Sequence, residues 1–210
     1  MNKETVKFFK VILEERTYLN LLYLLLAFPL GIFYFTFLVT GISLGIGLAI
    51  TLLGIPLLFG MLLLWRVLGI FEREQAKVIL KIDISGSPLK RSGNFWETIK
   101  AYLGDAFTWK SLVYLFIKFP LGIFSFVVLV TLLSVALGFM AIPILYYLTE
   151  IGLLQGTFCI TPTNVCFINS YLSATVWGIV GVFMLFVFLH ALNGLARVSG
   201  MLAKAMLENN

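Results

Sequence analysis

The sequence has few of the side chains on which most catalytic and metal sites depend. Its 210 residues include one histidine and two cysteines, and only 12% are charged. Soluble domains carry about 25% charged residues. A soluble globular domain is therefore excluded, as are disordered, collagen-like and disulfide-rich classes. The scarcity of histidine and cysteine also argues against most metal sites and nucleophilic triads.

The sequence is instead rich in long apolar runs. Hydrophobic residues make up 60% of the chain, and the mean hydropathy is +1.03. About 20 apolar residues are needed for a helix to cross a hydrocarbon core of about 30 Å. We therefore expect an all-α integral membrane protein with four transmembrane helices, over Leu19–Thr40, Leu44–Trp65, Phe119–Leu148 and Tyr171–Ala196. The third run is long enough to tilt, to kink at Pro143 or to bend back over residues 135–149.

The basic residues predict the orientation. All 15 lysines and arginines lie before the first run, between the second and third runs, or after the fourth. The connections near residues 41–43 and 149–170 have none. By the positive-inside rule both termini and the central loop face the cytoplasm, with the chain in the plasma membrane. The basic surfaces suit anionic lipid of the inner leaflet, and no separate basic domain suggests nucleic acid.

An internal repeat divides the chain. Residues 21–40 and 112–131 are identical at 13 of 20 positions, at an offset of 91, and both contain FPLGIF. This predicts a two-helix unit that occurs twice as a parallel tandem repeat. We expect one membrane domain over residues 1–210, with a first repeat at about 18–75, a central loop at about 71–110 and a second repeat at about 111–205 that contains an outer loop at 149–170.

Prolines and glycines in the repeats are candidate kink sites. Proline removes a helical hydrogen bond, and glycine lets another backbone approach closely. Two interpretations are open: paired kinks that only shape the bundle, or kinks that flank a cytoplasm-side groove for a lipid or ligand. The residues concerned are Pro29, Gly31, Pro120 and Gly122, with the weaker matches Pro56 and Pro143.

The two cysteines, Cys159 and Cys166, lie in the predicted outer loop with six residues between them. The environment outside the cell is usually oxidising, which favours a disulfide that closes this loop; two independent buried thiols are the alternative. The loop has no histidine, and Glu150 is its only nearby acid. A metal site is therefore not expected.

Ionisable residues near the apolar runs suggest no catalysis. We expect Lys118 to snorkel to the interface, and His190 to be neutral and bonded to a neighbouring helix backbone or to Asn193. No acidic residue or second histidine lies within the runs. Proton-relay and triad chemistries therefore lack their partners. We expect a protein that is not an enzyme and needs no cofactor.

The segments outside the membrane are predicted to be small. Residues 3–16 form an amphipathic pattern suited to the inner headgroup layer. Phe71–Leu80 is expected to continue the second helix. Asn94 is a candidate N-cap, with Glu97 at the capping-box position, for a helix over Trp96–Phe107. This is too little chain for a cytoplasmic enzyme domain.

The motifs together resemble a known family. They are the repeated Tyr-x-x-x-x-Phe-Pro-Leu-Gly, the Ile-Pro-Leu-Leu that follows it at Ile55–Leu58, and Trp109–Leu115 before the second Phe-Pro-Leu-Gly. This pattern resembles the putative sensor domain family, a four-helix membrane module of bacterial sensor kinases and of stand-alone membrane proteins. The resemblance implies a module that senses a membrane or extracytoplasmic stimulus. Because the sequence ends at Asn210 without a kinase region, we expect its output to come through a separate partner.

Two functions thus follow from the sequence. The first is a non-catalytic sensor or accessory subunit that relays a stimulus to a cytoplasmic protein partner. The alternative is a small transporter, channel or lipid-binding subunit that works as a homo-oligomer. The alternative predicts a cavity lined by Thr36, Thr40, Ser43 and Thr51 or by their repeat equivalents.

Overall fold

The computed structural model describes residues 11–85, 95–154, 159–160, 165–166, 168 and 170–208. Five α-helices lie in this part of the chain: α1 (Glu15–Gly47), α2 (Gly54–Leu80), α3 (Phe95–Gly104), α4 (Ala106–Glu150) and α5 (Tyr171–Leu207). A 3₁₀ turn, Leu48–Thr51, follows α1. The strands β1 (Cys159–Ile160) and β2 (Val165–Cys166) form a two-residue antiparallel ribbon between α4 and α5.

The prediction of four apolar helices is confirmed. α1 with its 3₁₀ turn, α2, α4 and α5 are each long and apolar enough to cross a membrane. Such helices satisfy every backbone group within their own segment, as hydrocarbon requires. The expected continuation of the second helix to Leu80 is also confirmed. α4 continues without a break to Glu150, so residues 135–149 extend the third helix and do not bend back.

The predicted break between the first two helices was misplaced. It was expected at residues 41–43, but α1 continues to Gly47, and the chain turns over residues 48–53. Gly41 and Gly45 instead make room for α2, because a Cβ at these positions would meet the side chains of Met61 and Leu58. The glycines therefore serve helix packing, and the turn is made by apolar residues.

Polar side chains at two helix starts explain where the helices begin. Before α4, the Asp105 carboxylate accepts the Phe107 N–H at 3.1 Å. Before α5, Ser170 and Ser173 each accept the backbone N–H of the other, both at 3.3 Å. These contacts supply partners for N–H groups that a first helical turn leaves unpaired.

The chain divides into two compact units. The first comprises Tyr18–Val127 and Asn193–Asn210, and the second Met1–Thr17 and Val128–Leu192. The main buried cluster lies in the first unit and includes Tyr34, Trp65, Phe107 and Leu207. In the second unit α4 packs on α5, where Gly178 meets Pro143 and Gly181 meets the Phe139–Met140 backbone.

Several predicted features lie wholly or largely outside the described residues. The proposed amphipathic helix over residues 3–16 falls mostly there, as do the predicted N-cap Asn94 and the loop around residues 86–94. The helix expected over Trp96–Phe107 is present as α3, and Asp105 separates it from α4. Ile99 and Tyr102 on α3 are buried, whereas Trp96 is 64% exposed.

Candidate functional site

Two glycines of the repeated motif bring α1 and α4 into backbone contact in the first unit. A Cβ on Gly31 would lie 2.9 Å from the Lys118 carbonyl oxygen and 3.0 Å from the Phe119 Cα. A Cβ on Gly122 would collide with the Ala27 carbonyl oxygen. The 91-residue offset relates Gly31 to Gly122, and it relates Ala27 to Lys118. Each glycine therefore packs against the residue that stands four positions before the other.

Two aromatic pairs between α1 and α4 are related in the same reciprocal way. Phe28 stacks on Phe126 with ring centroids 4.5 Å apart, and Phe119 stacks on Phe35 at 4.4 Å. The offset of 91 converts the first pair into the second. Residues 21–40 and 112–131 also have the same burial, whether buried, half-buried or exposed, at 18 of 20 positions. The repeated residues thus occupy matching environments.

A buried ion pair adjoins the glycine contact. Lys118 Nζ lies 2.7 Å from Glu72 Oε2, and the two side chains are 4% and 0% exposed. The expectation that Lys118 would snorkel to an interface is therefore wrong. Burying a lysine is costly unless it is paired and hydrogen-bonded, and Glu72 on α2 supplies the counter-charge. The sequence placed Glu72 outside the second apolar run, so this pairing was missed.

Tyrosines surround the ion pair. Lys118 Nζ lies 3.2 Å from the Tyr23 hydroxyl and 4.5 Å from the centre of its ring. The Tyr114 hydroxyl donates to Glu72 Oε2 at 3.2 Å. Tyr34 is almost fully buried and interacts electrostatically with Glu72. Tyr23 and Tyr114 occupy equivalent positions of the repeat, and this identity could have indicated the cluster from the sequence. We call Tyr23, Tyr34, Glu72, Tyr114 and Lys118 the ion-pair cluster.

A second buried cation links α2 to the turn between α3 and α4. Arg66 pairs with Asp105 at 2.7 Å and donates to the Thr108 hydroxyl at 2.6 Å. Its guanidinium lies 4.2 Å from the Tyr102 ring centre and 5.3 Å from that of Phe107. Arginine suits this position because its planar group can stack and donate at once.

A third buried charged residue, Arg73, lies farther along α2. Arg73, which is 1% exposed, donates to the Ile84 carbonyl at 2.9 Å. This bond holds the segment after α2, and the backbone N–H of Ser85 donates to Glu208 at 3.4 Å. α2 therefore carries three buried charged residues, Arg66, Glu72 and Arg73, which contact different elements of the first unit.

The remaining predicted site residues lie elsewhere. Pro29 is inside α1, and Pro120 and Pro143 are inside α4, while Pro56 lies in the first turn of α2, where its missing N–H breaks no helical bond. Kinks at these prolines stay a prediction. The β-ribbon pairs Cys159 with Cys166 in backbone register. A disulfide between these two cysteines stays a prediction.

His190 is exposed, and its Nδ1 lies 2.9 Å from the Phe186 carbonyl, one turn earlier in its own helix. Asn193, its expected alternative partner, accepts a hydrogen bond from Asn20 on α1 at 2.9 Å. Among the described residues, no group of three or more His, Cys, Asp or Glu is placed to hold a metal ion. The candidate site is the set of buried charged contacts that α2 makes with its neighbours.

One family of known proteins is similar to most of the chain. No curated protein and no solved structure matches the chain. The sequence model of one family, described as "Putative sensor", matches residues 23–207, which include the whole ion-pair cluster and both copies of the repeated motif. The chain therefore belongs to the Putative sensor family.

Proposed function

We propose that the protein is a non-catalytic membrane sensor that relays a stimulus from the bilayer or the extracytoplasmic side to a separate cytoplasmic partner. Membership of the Putative sensor family supports the sensing role. The four apolar helices supply contact with the membrane. The relay is proposed to use the contacts that α2 makes through its buried charges.

The observation that carries this proposal is the position of Lys118. Its backbone lies against Gly31 of α1, and its ammonium group is bonded to Glu72 of α2. A shift of α1 against α4 at the glycines would therefore disturb the ion pair directly. Because close-packed contacts tend to have discrete arrangements, a small shift can be converted into a change of state.

Contacts farther along α2 offer an output route. Arg66 holds the turn before α4 through Asp105, and Arg73 holds the segment after α2 through Ile84. Both targets belong to the central loop, which is rich in basic residues. We infer that movement of α2 changes the surface this loop offers to its partner.

The same proposal includes the repeat and the orientation. The 13 identities between residues 21–40 and 112–131 support two copies of a two-helix unit. The distribution of lysine and arginine supports cytoplasmic termini and a cytoplasmic central loop in the plasma membrane. Amphipathic segments at residues 3–16 and at α3 would then lie on the anionic inner leaflet.

The test is affinity purification of the full chain from native membranes in gentle detergent, with mass spectrometry of proteins and lipids. We expect a stoichiometric protein partner with the native chain and a weaker yield of that partner with Lys118→Met. The control is Lys77→Met, since Lys77 belongs to an exposed pair with Glu74. Purification without any stoichiometric protein would contradict the relay.

A groove on α1 favours a second candidate, a lipid-binding subunit that works as an oligomer. The groove has a volume of about 480 Å³ and includes two of the threonines that the sequence singled out for this function, Thr36 and Thr40, beside Pro29 and Phe33. In the same purification, a homo-oligomer that carries one defined lipid would support this candidate over the sensor.

A further inference from the structure

The chain leaves α2 through a residue with an unfavourable backbone conformation. Lys81 directly follows α2 and has φ 52° and ψ 43°, in the left-handed region. Glycine is the usual residue at such a helix end, because a side chain in this conformation is strained. Strained residues persist only where the surrounding contacts hold them, and they are common in switch regions. The contacts of the segment after Lys81 therefore indicate what keeps it in place.

α2 holds this segment through a buried cation. The segment is Ile82–Ser85, which we call the clasp segment. Arg73 of α2 donates to the Ile84 carbonyl at 2.9 Å, and the Ile84 side chain is 4% exposed. Ile84 also belongs to the main buried cluster of the first unit. The chain that leaves α2 is thus tied back to the same helix.

The end of α5 holds the same segment from a distant part of the sequence. A Cβ on Gly200 would collide with the Ile82 side chain and would lie 2.7 Å from Leu80 Cδ1. The Ser85 N–H donates to the Glu208 carboxylate at 3.4 Å. The first and last residues of the clasp segment therefore both contact α5.

α5 is one continuous helix that ends at this contact. It begins at Tyr171, after the β-ribbon, and continues without a break to Leu207. Ala203 and Leu207 lie one and two turns beyond Gly200, are 0% exposed and belong to the main buried cluster. Shifts of packed helices by about 1–2 Å are a common form of switching transition. A shift of α5 would displace the residues that contact the clasp segment.

We propose that Ile82–Ser85 is a strained clasp, which the end of α5 keeps closed and which opens when α5 shifts. The strain at Lys81 favours opening, and the contacts from Gly200 and Glu208 oppose it. The clasp gives α5 a route to the central loop that does not pass through the ion-pair cluster. Only its use in signalling to a partner rests on the proposed sensing function.

Amide hydrogen exchange of residues 82–85, in the full chain in mixed micelles, tests the proposal. Gly200→Phe displaces the Ile82 side chain, and we expect exchange about tenfold faster than in the native chain. Gly194→Phe is the matched control on the same helix, because nothing lies within 4 Å of its Cβ position, and it should leave the exchange unchanged. Lys81→Gly removes the backbone strain and should slow the exchange about fivefold.

Two outcomes would overturn the proposal. One is equal exchange of residues 82–85 in Gly200→Phe and Gly194→Phe. The other is an acceleration that is as large in residues 23–34 of α1, because Gly200 would then support the whole first unit and not the clasp. Glu208→Ala, which removes the bond to Ser85, replaces Gly200→Phe if that variant does not fold, and the same two comparisons apply to it.

Purification of the same variants from native membranes separates the clasp from the proposed function. We expect a lower yield of the cytoplasmic partner with Gly200→Phe than with Gly194→Phe. Faster exchange in Gly200→Phe together with an equal partner yield would support the clasp and contradict the relay.

Discussion

Glu72 and Lys118, 46 residues apart in sequence, form an ion pair of 2.7 Å in which both side chains are nearly inaccessible. The pair joins α2 to α4 beside the contact between α1 and α4. Lys118 lies in the second copy of the repeated pattern, and the equivalent residue of the first copy is Ala27. A lysine therefore occurs at this buried position in only one of the two copies.

Removing one member of this pair should be strongly destabilising. Lys118→Met leaves the Glu72 carboxylate buried without its counter-charge, and we expect a loss of about 3–5 kcal/mol in the free energy of unfolding. The double variant Glu72→Gln/Lys118→Met removes both charges of the pair, so its loss should be smaller than the sum of the two single losses. Reversible unfolding in mixed micelles measures each value.

Lys77→Met is the matched control for these variants. Its pair with Glu74 lies on the same helix as Glu72, but the two side chains are 31% and 56% exposed. Such a pair contributes about 0–1 kcal/mol. Losses at residues 72 and 118 that simply add together would contradict the coupling of the two charges.

The glycines of the repeated motif should tolerate no side chain. Gly31→Ala and Gly122→Ala each place a methyl group against the backbone of the other helix, which must move away. Overpacking of this kind costs about 1–3 kcal/mol, measurable in the same unfolding assay. Gly138→Ala on α4 is the control, because nothing lies within 4 Å of its Cβ position. At Gly138 we expect no loss of stability. A loss there equal to that at Gly31 or Gly122 would refute the close backbone contact between α1 and α4.

Arg66 should control the order of α3. Arg66→Met removes the ion pair with Asp105 and the bond to Thr108 together, and it leaves Asp105 without its cation. We expect faster amide hydrogen exchange in residues 95–104, because their attachment to α2 depends on this guanidinium. Arg66→Lys keeps the charge without the planar fork, so exchange should be intermediate. Unchanged exchange in α3 would show that its attachment lies elsewhere.

The cysteines of the β-ribbon should resist alkylation until they are reduced. Cys159 and Cys166 face each other in backbone register, which favours a disulfide. Closing so short a loop would contribute about 2–3 kcal/mol to stability. Mass spectrometry after maleimide labelling, with and without reductant, gives the result. Equal labelling in both samples would mean that the thiols are free.

The sequence by itself determined the class of the protein, the number of apolar helices and the repeated Phe-Pro-Leu-Gly. These properties follow from composition and from the length of the apolar runs, because hydrocarbon accepts only segments that satisfy their own backbone. The sequence also identified Gly31 and Gly122 as positions of close approach, since glycine lets another helix backbone come near.

The tertiary structure alone decided the partners of the charged residues. Lys118 looked like a residue at an interface, because nothing local to it in the sequence indicates Glu72. Likewise Arg66 pairs with an acid 39 residues away, and Gly41 packs against Met61 when a turn was expected. A charge beside an apolar run has the same local pattern whether it faces water or a buried partner, and only long-range packing determines which of the two is present.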